Sequence, residues 1–113
     1  MMQVYHNNRC GKSREAVQKL EQSGKEFEVI KYLENTPTFD ELKELLTKLN
    51  YSPLDLIRQK ESVWIENFKG KELSEEEIVH AMIKFPILIE RPIVVFENNA
   101  IVARPVEKLN EYI

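Results

Sequence analysis

Residues 3–33 read QVYHNNRCGKSREAVQKLEQSGKEFEVIKYL, and their pattern is the strongest indication of the fold. Gln3 to His6 predicts a short strand, and the apolar alternation from Phe27 to Leu33 predicts a second one. Between them, Ser13 opens a helical pattern for which Gly24 is the stop signal. A strand, a helix and a strand within about thirty residues form a βαβ unit, so we expect the two strands to be parallel.

The C-terminal part of the chain predicts a hairpin followed by a helix. Pro92 to Phe96 is an apolar, β-branched run, and the turn residues Glu-Asn-Asn follow it at 97–99. Ala100 to Ala103 then predicts the second strand of a hairpin. After it, Pro105 opens a final helix whose apolar residues have helical spacing.

The segment from about residue 35 to 85 is predicted to be mostly helical. Thr38 and Glu41 form a capping-box pattern ahead of a clear helical period. Ser52 precedes a proline at the first position of a further helix, and Ser74 starts another.

Together these elements predict an α/β protein with a thioredoxin-like fold. Its core is a β-α-β unit and a β-β-α unit that share one mixed sheet, and it carries a helical insertion. We expect a single domain over residues 1–113. Within it, the thioredoxin-like core covers about 1–34 and 86–113, and the helical insertion covers about 35–85.

The composition, with 42% hydrophobic and 31% charged residues, is typical of a soluble protein. The longest apolar runs are far short of a membrane span, and no signal peptide is evident, so we expect a cytoplasmic protein without a membrane partner. The 16 basic residues are spread among 19 acidic ones, for a net charge of −3. This balance disfavours nucleic acid as a partner, whereas a local cluster of cations can still bind a small anion.

Cys10 is the only cysteine, so an internal disulfide is impossible. Structural zinc fingers are excluded as well, because they need closely spaced Cys or His ligands. The two histidines, His6 and His80, show no ligand spacing. We therefore predict no metal site and no bound cofactor.

The loop around Cys10 is the most informative segment, because it joins the end of a strand to the start of a helix. Free N–H groups and the dipole at a helix N-terminus favour an anion, and they favour a thiolate over a thiol. Arg9, Lys12 and Arg14 add positive charge nearby. A lone cysteine is otherwise often a small buried hydrophobe, but these polar neighbours argue against that interpretation. Ser13 stands where a Cys-x-x-Cys pair would have its second thiol, so an external thiol must complete any redox chemistry.

Three arginines that adjoin apolar sequence give a second indication. Arg58 lies on an apolar turn that we expect to be helical, Arg91 directly precedes a strand, and Arg104 ends the next strand. Each could simply lie along the surface or pair with one of the acidic residues. Three such arginines together with a reactive cysteine favour a site for a tetrahedral oxyanion, whose geometry the guanidinium group matches.

The motifs Tyr-His-Asn-x-x-Cys-Gly-x-Ser-Arg at 5–14, Tyr-Leu-Glu-x-x-Pro-Thr at 32–38, Pro-Ile-Leu-Ile-x-Arg-Pro-Ile-Val-Val at 86–95 and Arg-Pro at 104–105 occur in this order. With them the sequence strongly resembles the glutathione- and glutaredoxin-coupled arsenate reductases, over its whole length. Members of that family have a thioredoxin-like fold with a helical insertion.

The resemblance implies a role for several side chains. Cys10 aligns with the family's nucleophile, and His6 aligns with a histidine that is thought to help lower the pKa of that cysteine. Ser13 aligns with a serine that can hydrogen-bond the thiolate. The bond before Pro92 matches the cis-proline of thioredoxin folds, so we expect it to be cis. The three oxyanion-binding arginines of the family align with Arg58, Arg91 and Arg104.

The implied activity is reduction of arsenate to arsenite. In this reaction the Cys10 thiolate attacks arsenic, glutathione acts as co-substrate, and glutaredoxin resolves the mixed disulfide. Asn8, Arg9 and Lys12 differ from many relatives, but they keep or raise the positive charge. Two alternatives stay open: a glutathione-dependent thiol reductase that acts on another substrate, and a non-catalytic stress regulator that binds RNA polymerase.

Overall fold

A four-stranded mixed sheet organises the first and last parts of the chain in the computed structural model, which describes all 113 residues. Its strands are β1 (Met2–His6), β2 (Phe27–Lys31), β3 (Ile93–Val95) and β4 (Ala100–Val102), in the order β2-β1-β3-β4. β1 pairs with β2 in parallel, whereas β1–β3 and β3–β4 are antiparallel. The thioredoxin-like α/β fold, the parallel pair and the hairpin that the sequence predicted are thereby confirmed.

Helix α1 (Gly11–Ser23) connects the two parallel strands. It ends at Gly24, whose φ of 74° is the left-handed conformation that glycine adopts without steric cost. The apolar side of α1 packs on one face of the sheet. The buried cluster that results comprises Val4, Ala16, Leu20, Val94, Ala103 and Leu109.

The chain divides into two compact units. The first comprises Met1–Asn35 and Arg91–Ile113 and contains the sheet, α1 and a C-terminal 3-10 helix, Val106–Glu111. The second comprises Thr36–Glu90. None of the helices combines the length and the apolar character that crossing a bilayer requires.

The second unit is built from helices α2 (Phe39–Leu49), α3 (Ser62–Asn67) and α4 (Glu75–Lys84), with 3-10 helices at Pro53–Leu56 and Pro86–Leu88. The predicted capping box of α2 is present, and Ser74 with Glu77 forms another at the start of α4. Helices α2 and α4 pack against each other. The buried side chains of the two helices are Leu42, Leu45, Leu46, Leu49, Ile78, Val79, Ala81 and Met82.

One local prediction was wrong, and another was right only in part. The final helix follows Pro105 as predicted, but its six residues form a 3-10 helix. Arg58 does not lie on a helical turn, because the helix that starts at Pro53 ends at Leu56. Ile57 is extended and pairs with Ile89, so backbone hydrogen bonds to the segment 88–90 replace those of a continued helix.

Candidate active site

The register of the sheet brings the Cys10 loop and two of the arginines to one end of it. Tyr5 in β1 pairs with Ile93 in β3, and Ile93 pairs with Val102 in β4. The residues just after β1, just before β3 and just after β4 therefore lie side by side. These are the Cys10 loop, the Arg91–Pro92 segment and the Ala103–Arg104 segment.

Hydrogen bonds from Asn7 fix the shape of the loop. Its carbonyl accepts from the backbone N–H of Cys10 at 3.0 Å, and its side-chain Oδ1 accepts from the N–H of Arg9 at 2.9 Å. Its own N–H donates to Ser13 Oγ at 3.0 Å. Asn7 is buried, so these bonds are shielded from water. Asn7 was not a candidate from the sequence, although an Asn that starts a polar turn is a recognisable signal for such bonding.

The side chain of Ser13 is fully buried, and His6 contacts it directly. Nδ1 of His6 lies 2.6 Å from Ser13 Oγ. Since Oγ already accepts the N–H of Asn7, its hydroxyl proton can be donated to Nδ1 of a neutral imidazole that is protonated on Nε2. The hydroxyl thus connects β1 to α1.

The surroundings of His6 favour the uncharged form of its ring. Burial lowers its pKa, the charges of Lys31 and Arg14 lower it further, and hydrogen bonds with Asn8 and Ser13 only partly oppose this. A neutral imidazole adds no positive charge near the sulfur. The contact of His6 in this structure is with Ser13, and through Ser13 with the loop.

The pKa of Cys10 is lowered from its ordinary value. Partial burial alone raises this pKa, but the backbone amide of Ser13 and the side chain of Arg91 offer hydrogen bonds to the thiolate. The charge of Arg91 and the amide of Lys12 add to the effect. Cys10 is the residue before the first turn of α1, so the two amides are those of a helix N-terminus.

Arg91 and Arg104 are next to each other although they are well separated in sequence. Nη1 of Arg104 donates to the carbonyl of Arg91 at 3.2 Å, and the N–H of Ala103 donates to the carbonyl of Pro92 at 2.9 Å. The Arg91–Pro92 bond is cis, as expected, and the Arg104–Pro105 bond is cis as well. The first unit thus contains a thiolate, a guanidinium that interacts with it, and a second guanidinium one contact away.

Arg58 belongs to the second unit, and its partners there are two carboxylates. Its Nε lies 3.3 Å from Oε1 of Glu61, and its Nη1 lies 2.9 Å from Oε1 of Glu90. Neither glutamate was a candidate from the sequence. The spacing of three residues predicts only the ion pair of Arg58 with Glu61. Nothing in the neighbouring sequence predicts the ion pair with Glu90.

No group of three or more His, Cys, Asp or Glu side chains in the structure is arranged to hold a metal ion. The other histidine, His80, is exposed and lies against the ring of Phe39, with 4.8 Å between ring centroids. The site itself presents an activated thiolate next to cationic side chains.

Comparison with known proteins agrees with this picture. Residues 5–112 match the ArsC family, and the chain belongs to that family. It is 36% identical to an arsenate reductase of Neisseria meningitidis, over 96% of this chain and 94% of that protein. It is also 42% identical to the uncharacterized protein YfgD of Escherichia coli, over 99% of this chain and 96% of that protein.

Among solved structures, the arsenate reductase from Vibrio cholerae is similar with a TM-score of 0.93 and 40% identity. The alignment covers 99% of this chain and 97% of that one. The homology supports an oxidoreductase activity for this chain.

Proposed function

We propose that this protein is an arsenate reductase that uses Cys10 as nucleophile, glutathione as co-substrate and glutaredoxin as the protein that regenerates the thiol. The observation that carries the proposal is the lowered pKa of Cys10 beside Arg91, in a chain of the ArsC family. The likeness to proteins named arsenate reductase supports the choice of substrate.

The first step is attack by the Cys10 thiolate on As(V) of the bound arsenate. An As–S bond forms and an As–O bond breaks, and the oxygen leaves as water after taking a proton. We propose that Arg91 and Arg104 hold the oxyanion, and the resemblance implies an oxyanion-binding role for Arg58 as well. Their N–H groups also stabilise the negative charge that develops on the oxygens in the transition state.

The second step transfers electrons to arsenic. A glutathione thiolate attacks the sulfur of Cys10, so that an S–S bond forms while the S–As bond breaks. The bonding pair stays on arsenic, which leaves as arsenite, As(III). A glutaredoxin thiolate then attacks the glutathione sulfur of the mixed disulfide and releases the Cys10 thiolate. External thiols are required because the chain has one cysteine and cannot form a disulfide of its own.

The supporting roles follow from the contacts. We propose that His6 acts through Ser13, since its Nδ1 contacts Ser13 Oγ and the amide of Ser13 is among the groups that stabilise the thiolate. Pro92 fixes the backbone that carries Arg91, through the bond from Ala103 to its carbonyl. Both are positioning roles that leave the bond changes to Cys10.

The direct test is arsenite formation from arsenate in the presence of glutathione and glutaredoxin, and with each omitted in turn. We expect turnover only in the complete mixture, and none with Cys10→Ser, because a hydroxyl is a far weaker nucleophile at neutral pH. Appreciable turnover by Cys10→Ser would overturn the role of Cys10. Full turnover without glutaredoxin would overturn its role as the protein that regenerates the thiol.

The same assay separates the alternatives. A wild-type protein that forms no arsenite but whose Cys10 forms a mixed disulfide with glutathione, which glutaredoxin then reduces, would favour a thiol reductase with another substrate. A protein with neither reaction that binds RNA polymerase would favour the regulator.

A further inference from the structure

A patch of positive charge adjoins Cys10 in a chain that is acidic overall. Residues 1–14 contain no Asp or Glu, and their cationic residues are Arg9, Lys12 and Arg14. All three are exposed. Since the whole chain has a net charge of −3, the remaining residues carry a clear excess of acid. The loop around Cys10 is therefore a local site of attraction for a small anion.

The three cations are not equally available to a ligand. The guanidinium of Arg14 donates to the carbonyl of Asn8 at 3.0 Å, so it supports the loop itself. The side chains of Arg9 and Lys12 form no ion pair. Two exposed positive charges, one on either side of Cys10 in the sequence, are thus left for an anion from solution.

Arg9 and Lys12 carry their charges away from the sulfur. The backbone amide of Lys12 helps to lower the pKa of Cys10, but the charges of the two side chains are not among the effects that do so. The charge of Arg91 is among them, so Arg91 is the cation at the reacting atom. A ligand that reacts with the sulfur and also contacts Arg9 and Lys12 must carry its anionic groups several bonds from its reactive atom.

Glutathione has this arrangement of charges. It is a tripeptide with a central thiol and a carboxylate near each end, and its single ammonium group leaves it a net anion at neutral pH. We propose that Arg9 and Lys12 form the docking site for the carboxylates of glutathione. The inference rests on the proposed function, in which the glutathione thiolate attacks the sulfur of Cys10. Charge-assisted hydrogen bonds from the two side chains would then hold the tripeptide while its thiolate reacts.

The proposal divides the cations of the first unit between two reactants. In the proposed function Arg91 and Arg104 hold the oxyanion, whereas Arg9 and Lys12 hold the co-substrate. Arsenate and glutathione are both anions, and they repel each other when they meet at one sulfur atom. Separate cationic groups for each reactant lower the free energy needed to bring them together in the reactive orientation.

The test uses thiol–disulfide exchange, which needs no arsenate. The Cys10 thiolate attacks one sulfur of oxidised glutathione, a new S–S bond forms, the old S–S bond breaks, and a glutathione thiolate leaves. Its rate constant is compared with those for hydroxyethyl disulfide, which is uncharged, and for cystamine, which is positively charged. Intact-protein mass spectrometry follows the mixed disulfide with each reagent.

At an ionic strength of about 0.1 M, Arg9→Ala and Lys12→Ala are each expected to slow the reaction with oxidised glutathione roughly two- to fivefold. The rate with the uncharged disulfide is expected to stay the same, and the rate with cystamine to rise, because each variant removes a positive charge. Arg9→Lys keeps the charge and is expected to keep most of the rate with oxidised glutathione. In the arsenate assay, Arg9→Ala is expected to raise the KM for glutathione and to leave the KM for arsenate unchanged.

Lys25→Ala is the matched control. Lys25 is an exposed cation of the same unit, but it follows the C-terminal end of α1, whereas Cys10 precedes the N-terminal end. The length of this 13-residue helix, about 20 Å, therefore separates the two residues. This is about twice the screening length of roughly 10 Å at 0.1 M salt, so we expect all three reagents to react at the wild-type rate.

Equal losses of rate with oxidised glutathione and with the uncharged disulfide would mean that the substitutions alter Cys10 itself, and they would overturn the inference. An unchanged rate with oxidised glutathione in both alanine variants would overturn it too, as would an equal loss in Lys25→Ala. The outcome is separable from that of the proposed function. A protein that distinguishes the disulfides as expected but forms no arsenite would reject the reductase function and keep the docking site. Arsenite formation without this discrimination would keep the function and reject the docking site.

Discussion

At the scale of single residues, the ionisation of Cys10 is decided by opposing effects. Partial burial disfavours the thiolate, while the amides of Ser13 and Lys12 and the side chain of Arg91 favour it and prevail. From the sequence, Arg9, Lys12 and Arg14 were expected to add positive charge near Cys10, because they are its neighbours along the chain. The cation that acts on the sulfur, Arg91, comes from the other end of the chain.

Arg91→Ala is therefore expected to raise the pKa of Cys10, because it removes both a hydrogen bond to the thiolate and a positive charge. The rate of alkylation as a function of pH reports this pKa as a midpoint. Arg9→Ala is the control, since Arg9 is the neighbour of Cys10 in sequence but is not among the groups that lower its pKa. If the midpoint moves as far in Arg9→Ala as in Arg91→Ala, Arg91 is not the cation that specifically lowers the pKa of Cys10.

The same ionisation gives stability a defined pH dependence. The pKa of Cys10 is lower in the folded protein than in the unfolded chain, so the ionised thiolate stabilises the fold. This stabilisation is fully present above the pKa of an unfolded cysteine, about 8.5, and is lost as the pH falls through the pKa of the folded protein. We expect the free energy of unfolding of the wild type, relative to Cys10→Ser, to rise with pH across that window. Urea unfolding of both proteins at several pH values measures this difference in the free energy of unfolding. A difference that stays constant or falls as the pH rises would refute the lowered pKa.

At the scale of elements, the strand–loop–helix segment from β1 to α1 is held together by one buried hydroxyl. Ser13 Oγ accepts the N–H of Asn7 and contacts Nδ1 of His6. Both partners are buried, so neither can turn to water when the hydroxyl is lost. The loop geometry that presents Cys10 depends on this serine as much as on the helix that follows it.

Ser13→Ala is expected to cost about 1–3 kcal/mol of stability, because the buried N–H of Asn7 and the ring of His6 lose their partner. Urea unfolding provides the measurement. Ser23→Ala serves as the control, since the hydroxyl of Ser23 lies at the end of the same helix and donates to the carbonyl of Leu20 near the surface. If the two alanine variants were equally stable, the buried hydroxyl would have no special role.

At the scale of the whole molecule, the sheet-based unit depends on a small apolar cluster between the sheet, α1 and the C-terminal 3-10 helix. Leu20 on α1 is fully buried in this cluster and packs on strands that come from both ends of the sequence. The same strands carry the Cys10 loop and Arg91. The position of the reactive groups thus depends on packing that lies away from them.

Leu20→Ala is expected to lower the free energy of unfolding by about 2–5 kcal/mol, the cost of lost burial plus a cavity. Leu33→Ala, which truncates a leucine that is 42% exposed in the same unit, is expected to change it by less than about 0.5 kcal/mol. Denaturant titration of both variants tests the ranking. Similar losses in the two would mean that the cluster is not the main support of this unit.

The elements with local signals could be predicted from the amino-acid sequence. The left-handed stop at Gly24 and the capping box of Thr38 and Glu41 depend only on near neighbours, and both are present. Apolar runs and alternating apolar residues likewise located the strands of the sheet. The helical spacing of apolar residues located α1, α2 and α4. The short helix α3 was missed, because its six residues are too few to show a period.

The contacts between groups that are distant in sequence became known from the folded chain alone. The pairing of β1 with β3 and β4 brings Arg91 and Arg104 to the end of the sheet where Cys10 lies, and the bridge of Ile57 with Ile89 brings Glu90 to Arg58. The family resemblance identified the arginines, but not their partners. The physical reason is that local conformation follows from adjacent residues, whereas strand register and ion-pair partners follow from the packing of the whole chain.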